Sequence, residues 1–366
     1  MISGTVEKKE KKSLSGIIAV AACGMFFLIG IAGLIAMDNG ADYSLTEIMT
    51  GVSAVDFQKR FDDAVPLKPL GISFWSSLRY SLFKEGFSGV LIGDDGWLFT
   101  SEEYETALGD YRIEDNVFNV ICDVKEKLEE NGIRLFIIPV PSKNRIYKDK
   151  TGRYPVPDPV DVRYAGILEC LDAIDAEYAD LAGTFIPLSR TERLYYKTDT
   201  HWTEAGAKLA AALTAFSIDT AIQGTELPVR NFKTERTGET SITGDLITYL
   251  PHSQQEEYGT EPLTVIQTVE DDPPVTGLFD APVIPYALVG TSYSSDRRWG
   301  FAGFLKEALH SDVMDVSQEG KGPFAPMEEI LQNTVLLDSG VRCVLWEIPE
   351  RYIPSDDISS FLRDKR

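Results

Sequence analysis

Several residue types that carry common chemistries are scarce in this chain. Its 366 residues include three histidines and four cysteines. There is no CxxC pair and no HExxH motif, which leaves a tetrahedral zinc centre without a ligand set. Neither a P-loop nor a GxGxxG fingerprint is present, so no nucleotide cofactor, and no cofactor of any kind, is expected. Positive charge is also short. Lys and Arg number 35 against 57 Asp and Glu, a formal net charge of −22. Phosphate backbones are gripped by basic footprints, so a nucleic-acid partner is excluded and only a local basic groove remains open. Cys122, Cys170 and Cys343 follow an apolar stretch that holds Cys23. An odd number allows at most one internal disulfide, and buried thiols are the expected state.

Charge is absent altogether from Ser13 to Met37, SLSGIIAVAACGMFFLIGIAGLIAM. Lysines cluster before this run, in MISGTVEKKEKK, and Asp38 and Asp42 follow it. A helix of that length spans a hydrocarbon core of about 30 Å. The charge bias then places residues 1–12 in the cytoplasm and the body outside. The expectation is a single-pass signal anchor in the inner membrane, with the body periplasmic. The alternative is a cleaved signal peptide, for which AMDNGADYS is a weak site and the apolar run is long. Both readings export the body.

What is present is a regular alternation. Residues 38–88 read as a helical stalk or cap. GVLIGDDGWLFTSEEY reads as a hairpin turning at Gly93-Asp94-Asp95-Gly96. Residues 115–131 have apolar positions at helical spacing and stop before Gly132. IRLFIIPV, PYALVG and VRCVLWEI are continuous apolar runs, the pattern of strands covered on both faces. TFIPLS is read as one more short strand. Helices are expected over 160–178, after the N-cap Thr203, in GFAGFLKEALHSD and in PMEEILQNTVLLDSG. The fold class is therefore α/β with a mainly parallel sheet. In such sheets reactive groups gather beyond the carboxyl ends of the strands.

Two stretches meet that requirement. In YALVGTSYSS a strand runs into Gly290-Thr291-Ser292, a place for a nucleophile whose neighbouring N–H groups face an oxyanion. The competing reading is a serine-rich turn that caps the next helix. In TDTHW, Asp199 and His201 are two apart and share one face when extended. A serine needs a base, and a base needs a carboxylate that fixes its tautomer. An Asp this close to its His must reach the ring through a bent loop, and a turn-capping Asp beside a packed His competes with that reading. His252 in a polar loop and His310 late in a helix are poorer bases, which leaves His201 as the partner for Ser292.

TDTHWTEAGA and GTSYS together resemble the alginate O-acetyltransferases of the AlgJ and AlgX type. GDDGWLF (93–99), PVPSKNRIY (139–147), TGDLITYL (243–250) and VLWEIPERY (344–352) agree with that family in order. The resemblance covers roughly residues 89–353 and implies an SGNH-hydrolase-like three-layer domain over 89–366. It implies Ser292 as nucleophile, His201 as base and Asp199 as its orienting carboxylate, with Lys143, Tyr293 and Arg297 as substrate-side residues. The implied activity is transfer of acetyl groups to hydroxyls of an exported polysaccharide. The implied partners are the polysaccharide acceptor, the membrane and a membrane-bound O-acyltransferase that supplies acetyl groups. Two departures stand out. Few residues follow ERYI, so the carbohydrate-binding module of the AlgX kind is not expected, and the acidity of the chain suits a neutral acceptor better than acidic alginate. An esterase with the same triad and a non-catalytic polysaccharide-binding component are the alternatives.

Overall fold

The computed structural model describes residues 20, 21, 23–37, 43–65, 68–106, 115–221, 229–271, 283–333 and 340–353. The chain divides into two units, Met1–Phe83 and Lys84–Arg366.

In the first unit, residues 23–36 are helical. Three helices follow: α1 (Leu45–Met49), α2 (Val52–Ala64) and α3 (Lys68–Phe83). Ser44 and Glu47 form a reciprocal capping box that starts α1. Among the described residues, no helix is long and apolar enough to cross a membrane. The expected span 13–37 starts outside the described residues, as does the expected tail 1–12.

The second unit opens with a two-stranded hairpin, β1 (Val90–Ile92) and β2 (Leu98–Thr100). Its turn closes through Gly93 N–H to Trp97 O at 2.8 Å, with Asp95 and Gly96 both at positive φ. Among the described residues the main sheet has five strands: β3 (Arg134–Val140), β4 (Glu177–Tyr178), β7 (Tyr286–Val289), β8 (Val313–Asp315) and β9 (Cys343–Pro349). Their order is β4-β3-β9-β7-β8, and every neighbouring pair is parallel. The last strand in sequence thus lies at the centre.

Strand periodicity explains the continuous apolar runs. Phe136, Ile138, Leu288 and Leu345 face one core with α8 (Glu204–Ala221) and α11 (Phe301–Leu309). Leu135, Ile137, Val289 and Val344 face the other with α4 (Asp115–Glu130), α6 (Asp158–Ala173) and α12 (Phe324–Gln332). Helix α4 supplies Val117, Val120, Ile121, Val124 and Leu128 at helical spacing. Each such buried side chain contributes roughly 1.5–3 kcal/mol. Gly132, at φ +69°, ends the turn after α4, and Thr203 Oγ1 accepts from Gly206 N–H at the start of α8. The result is a sheet between two helical layers.

Three segments differ from the sequence-based expectation. The helix expected over 160–178 ends at Ala173, and Glu177–Tyr178 is strand β4. TFIPLS is not a strand: it lies in α7 (Ala182–Leu188), with Pro187 inside the helix. The strand on that side is the two-residue β4, too short to leave a period in the sequence. The stretch before PYALVG, in which no element was expected, holds a long antiparallel ribbon, β5 (Asn231–Ile242) with β6 (Glu261–Asp271). Two short elements complete the numbering, α5 (Lys143–Ile146) and α9 (His252–Tyr258), with α10 (Ser292–Ser295) directly after β7. The expected last helix is described only as α12, because 334–339 lie outside the described residues.

Candidate active site

The segment 194–203 doubles back on itself. Thr203 N–H donates to Leu194 O at 2.9 Å and Tyr196 N–H to His201 O at 3.2 Å. Between these rungs the chain 197–200 is bent. That bend supplies what extended geometry could not: Asp199 reaches both the backbone and the ring of His201. Asp199 Oδ1 accepts from His201 N–H at 2.9 Å and lies 2.6 Å from Nδ1. Its Oδ2 accepts from Asp245 N–H at 3.0 Å.

Burial alone would raise the pKa of Asp199. The hydrogen bond and charge of His201, with two backbone N–H donors, outweigh it and hold the carboxyl down at about 2.

Ser292 begins α10 at the carboxyl end of β7, and its Oγ lies 2.7 Å from His201 Nε2. Asp199, His201 and Ser292 therefore form one continuous hydrogen-bonded line. With Nδ1 carrying the proton toward Asp199, Nε2 is left as an acceptor for the serine hydroxyl. Thr291 Oγ1 caps α10 by accepting from Tyr293 N–H.

The turn itself is held from below by Glu347 on β9, a residue the sequence did not single out. Its carboxylate accepts from Thr291 N–H at 2.7 Å, from Thr291 Oγ1 and from Ser294 Oγ at 3.0 Å. Burial pushes its pKa up to about 7, against the pull of these donors. Only glycine fits above it, because a Cβ on Gly290 would lie 2.4 Å from Glu347 Oε2.

The other expected site residues are placed differently from a substrate-side role. Lys143 is fully buried at the carboxyl end of β3. Its ammonium directs three donors at Leu98 O (2.6 Å), Lys197 O (2.9 Å) and Asp199 O (2.8 Å). It is a strut behind the His201 segment and has no donor left for a ligand. Burial pulls its pKa down to about 8, although Glu103 and Asp199 raise it. Tyr293 is buried as well, donating to Thr200 O at 2.6 Å, with its ring 4.9 Å from that of His201. Arg297 is exposed, and its charge acts on Asp315. Trp202 packs against Tyr293 and Phe301.

The neighbouring Arg298 and Trp299 are nearer the relay. Trp299 stacks on the His201 ring at 5.1 Å, and Arg298 covers Trp299 while pairing with Asp296. The polar stretch DRRWG gave no pattern that separates these two residues from Arg297.

Asp199, His201 and Asp245 are close enough together to be considered as metal ligands. Their atoms are already engaged: both oxygens of Asp245 accept from Thr200, and His201 Nε2 faces Ser292.

A parallel sheet with a serine at one strand end and a Ser–His–Asp line across it is an arrangement shared by serine hydrolases and acyltransferases of several folds. The family described as "SGNH hydrolase-like domain, acetyltransferase AlgX" matches residues 90–350, and this chain belongs to it. The chain is 34% identical over 355 residues to the probable alginate O-acetylase AlgJ of Pseudomonas aeruginosa, covering 92% of this chain and 90% of that protein. It is 34% identical over 353 residues to the protein of the same description from Azotobacter vinelandii, covering 94% and 88%. Among solved structures, the O-acetyltransferase domain of Pseudomonas putida AlgJ superposes with a TM-score of 0.69 at 30% identity, over 76% of this chain and 96% of that one. Pseudomonas aeruginosa AlgX shares the fold, with a TM-score of 0.59 at 21% identity over 78% of this chain and 67% of that one.

Proposed function

We propose that this protein transfers acetyl groups to hydroxyls of a polysaccharide through an acetyl-serine on Ser292. The observation that carries the reading is the unbroken line from Asp199 through His201 to Ser292, with spacings of 2.6 and 2.7 Å. In the first step Ser292 Oγ attacks the acetyl carbonyl and its proton passes to His201 Nε2. Asp199 steadies the imidazolium that forms. The N–H of Ser292, at the start of a helix and without an intrahelical partner, faces the tetrahedral oxyanion. The donor's leaving group departs with the proton from His201. In the second step His201 takes the proton of a sugar hydroxyl, whose oxygen attacks the acetyl-serine. Ser292 leaves with that proton, and the ester now resides on the sugar.

The donor is an acetyl group delivered on the outer face of the inner membrane by a membrane-bound O-acyltransferase. The apolar run 13–37 anchors the domain beside it, with the catalytic unit in the periplasm. The alginate O-acetylases among the relatives support a polysaccharide acceptor. The acidity of this chain, at −22, favours a neutral one.

The test uses the full-length chain in detergent with p-nitrophenyl acetate as donor. Neutral and uronic-acid oligosaccharides are supplied in parallel. Sugar ester that disappears in Ser292→Ala is the expected result. Acetate release at one rate with or without sugar would make the protein an esterase. Transfer surviving in Ser292→Ala would remove Ser292 from the mechanism.

A further inference from the structure

Asp245 lies in TGDLITYL, between ribbon strands β5 and β6, and the mechanism above does not use it. Its carboxylate grips the residue between Asp199 and His201. Thr200 N–H donates to Oδ1 at 2.9 Å, and Thr200 Oγ1 donates to Oδ2 at 2.5 Å. The same Thr200 Oγ1 is 3.2 Å from His201 Nδ1, and Asp245 Oδ2 itself is 4.0 Å from that atom. The approach is close because Gly244 permits it: a Cβ there would lie 2.1 Å from Thr198 O. The other end of the same excursion is fixed too, since Glu261 Oε1 accepts from Thr198 N–H at 2.8 Å and from its hydroxyl at 2.6 Å.

We infer that Asp245 is a positioning residue for His201, acting through the Thr200 hydroxyl. The inference rests on the reading of His201 as the base. A hydroxyl has one proton. With that proton held by Asp245, Thr200 Oγ1 presents only lone pairs to Nδ1. The ring is then confined to the tautomer with its proton on Nδ1, shared between Asp199 and Thr200, and with Nε2 free to accept from Ser292. When the imidazolium forms, a second negative charge faces it.

Other charged or titratable groups near the ring come from each element around it. Asp199 is on its own segment, with Lys143 behind that residue. Tyr293 and Arg298, the latter across Trp299, lie on the nucleophile side, and Glu347 lies beneath the serine turn. Among the described residues, Asp245 is the one carboxylate besides Asp199 within 4.0 Å of Nδ1.

The test compares full-length wild type, Asp245→Asn, Thr200→Val and the double variant. The first readout is the tautomer of the His201 ring by nitrogen NMR, assigned among the three histidines with His201→Ala. The second is kcat and KM with p-nitrophenyl acetate. Asp245→Asn should shift part of the ring proton from Nδ1 to Nε2, because an amide can donate to Thr200 Oγ1 and free the hydroxyl proton to point at the ring. In the same variant kcat should fall about tenfold with KM unchanged. Thr200→Val should act in the same direction, and the double variant should add nothing beyond Asp245→Asn. A folded Asp245→Asn protein with the wild-type tautomer would overturn the inference, as would additive effects in the double variant. Ser292→Ala separates the two readings. If it retains turnover, the mechanism fails; the ring tautomer tests Asp245 independently of that result.

Discussion

The segment that carries His201 and the turn that carries Ser292 meet at one hydrogen bond, yet they are held by different means. The histidine segment is clamped from three directions, by Lys143 on its carbonyls, Glu261 on Lys197 and Thr198, and Asp245 on Asp199 and Thr200. The serine turn has one buried side-chain anchor beneath it, Glu347, under a glycine that admits no side chain, with Gln318 N–H on Gly290 O and the Tyr293 hydroxyl on Thr200 O as lateral ties. Their proton linkage also runs in opposite directions. Asp199 is held down at about 2, below its ordinary value of 3.8. It contributes stability above about pH 4 that is lost as pH falls toward 2. Glu347 is pushed up from 4.5 to about 7. Its contribution is full below 4.5 and is lost as pH rises through 7. A base must stay fixed through two proton transfers, which suits many anchors. A nucleophile turn needs only to project one hydroxyl from a strand end.

The sharpest way to break the comparison is at the shared hydrogen bond. Ser292→Ala or His201→Ala should each lower esterolysis by at least about 10³-fold, and the double variant should lose no more than the worse single. Steady-state rates with p-nitrophenyl acetate check this. Lys143→Met should be the most costly change on the histidine side. It removes three hydrogen bonds at once and leaves Lys197 O with Leu98 N–H alone, for a loss of about 3 kcal/mol or more in chemical unfolding. If that variant unfolds at the wild-type midpoint, Lys143 is not a strut. On the serine side, Gly290→Ala forces a methyl against Glu347 and should cost about 1–3 kcal/mol, with a larger fractional loss of activity than of stability. Glu347→Gln gives the smallest effect and the most specific one. Between pH 5 and 8 the wild type should lose stability relative to Glu347→Gln, by about 2 kcal/mol in paired denaturation curves. Parallel curves for the two proteins would show that Glu347 does not titrate in this window.

The strands were legible where both faces are covered. IRLFIIPV and VRCVLWEI are predominantly apolar because β3 and β9 are central and packed on each side. The ribbon was not, because NFKTERTGETSI is exposed along most of its length and its alternation is polar on polar. TFIPLS is apolar but short, and a short apolar run fits a helix end as well as a strand.

In the site, the pairing of Asp199 with His201 was readable from TDTHW, since both partners lie in five residues. Asp245 was not: it reaches Asp199 across 46 positions. Glu347 is a single acid within an apolar strand, and sequence does not say whether such a residue is a defect or an anchor. Lys143 was expected to meet substrate. A lysine just after a strand points into the fold or out of it according to the partners available, and here three carbonyls converge on it.

The account turns on Ser292 carrying the acetyl group. The direct measurement is intact mass of the full-length protein, quenched in acid during turnover of p-nitrophenyl acetate. The account predicts one acetyl group on the wild type, located on the peptide containing Ser292, and none on Ser292→Ala. An acetyl group elsewhere, or the same adduct on Ser292→Ala, would contradict it.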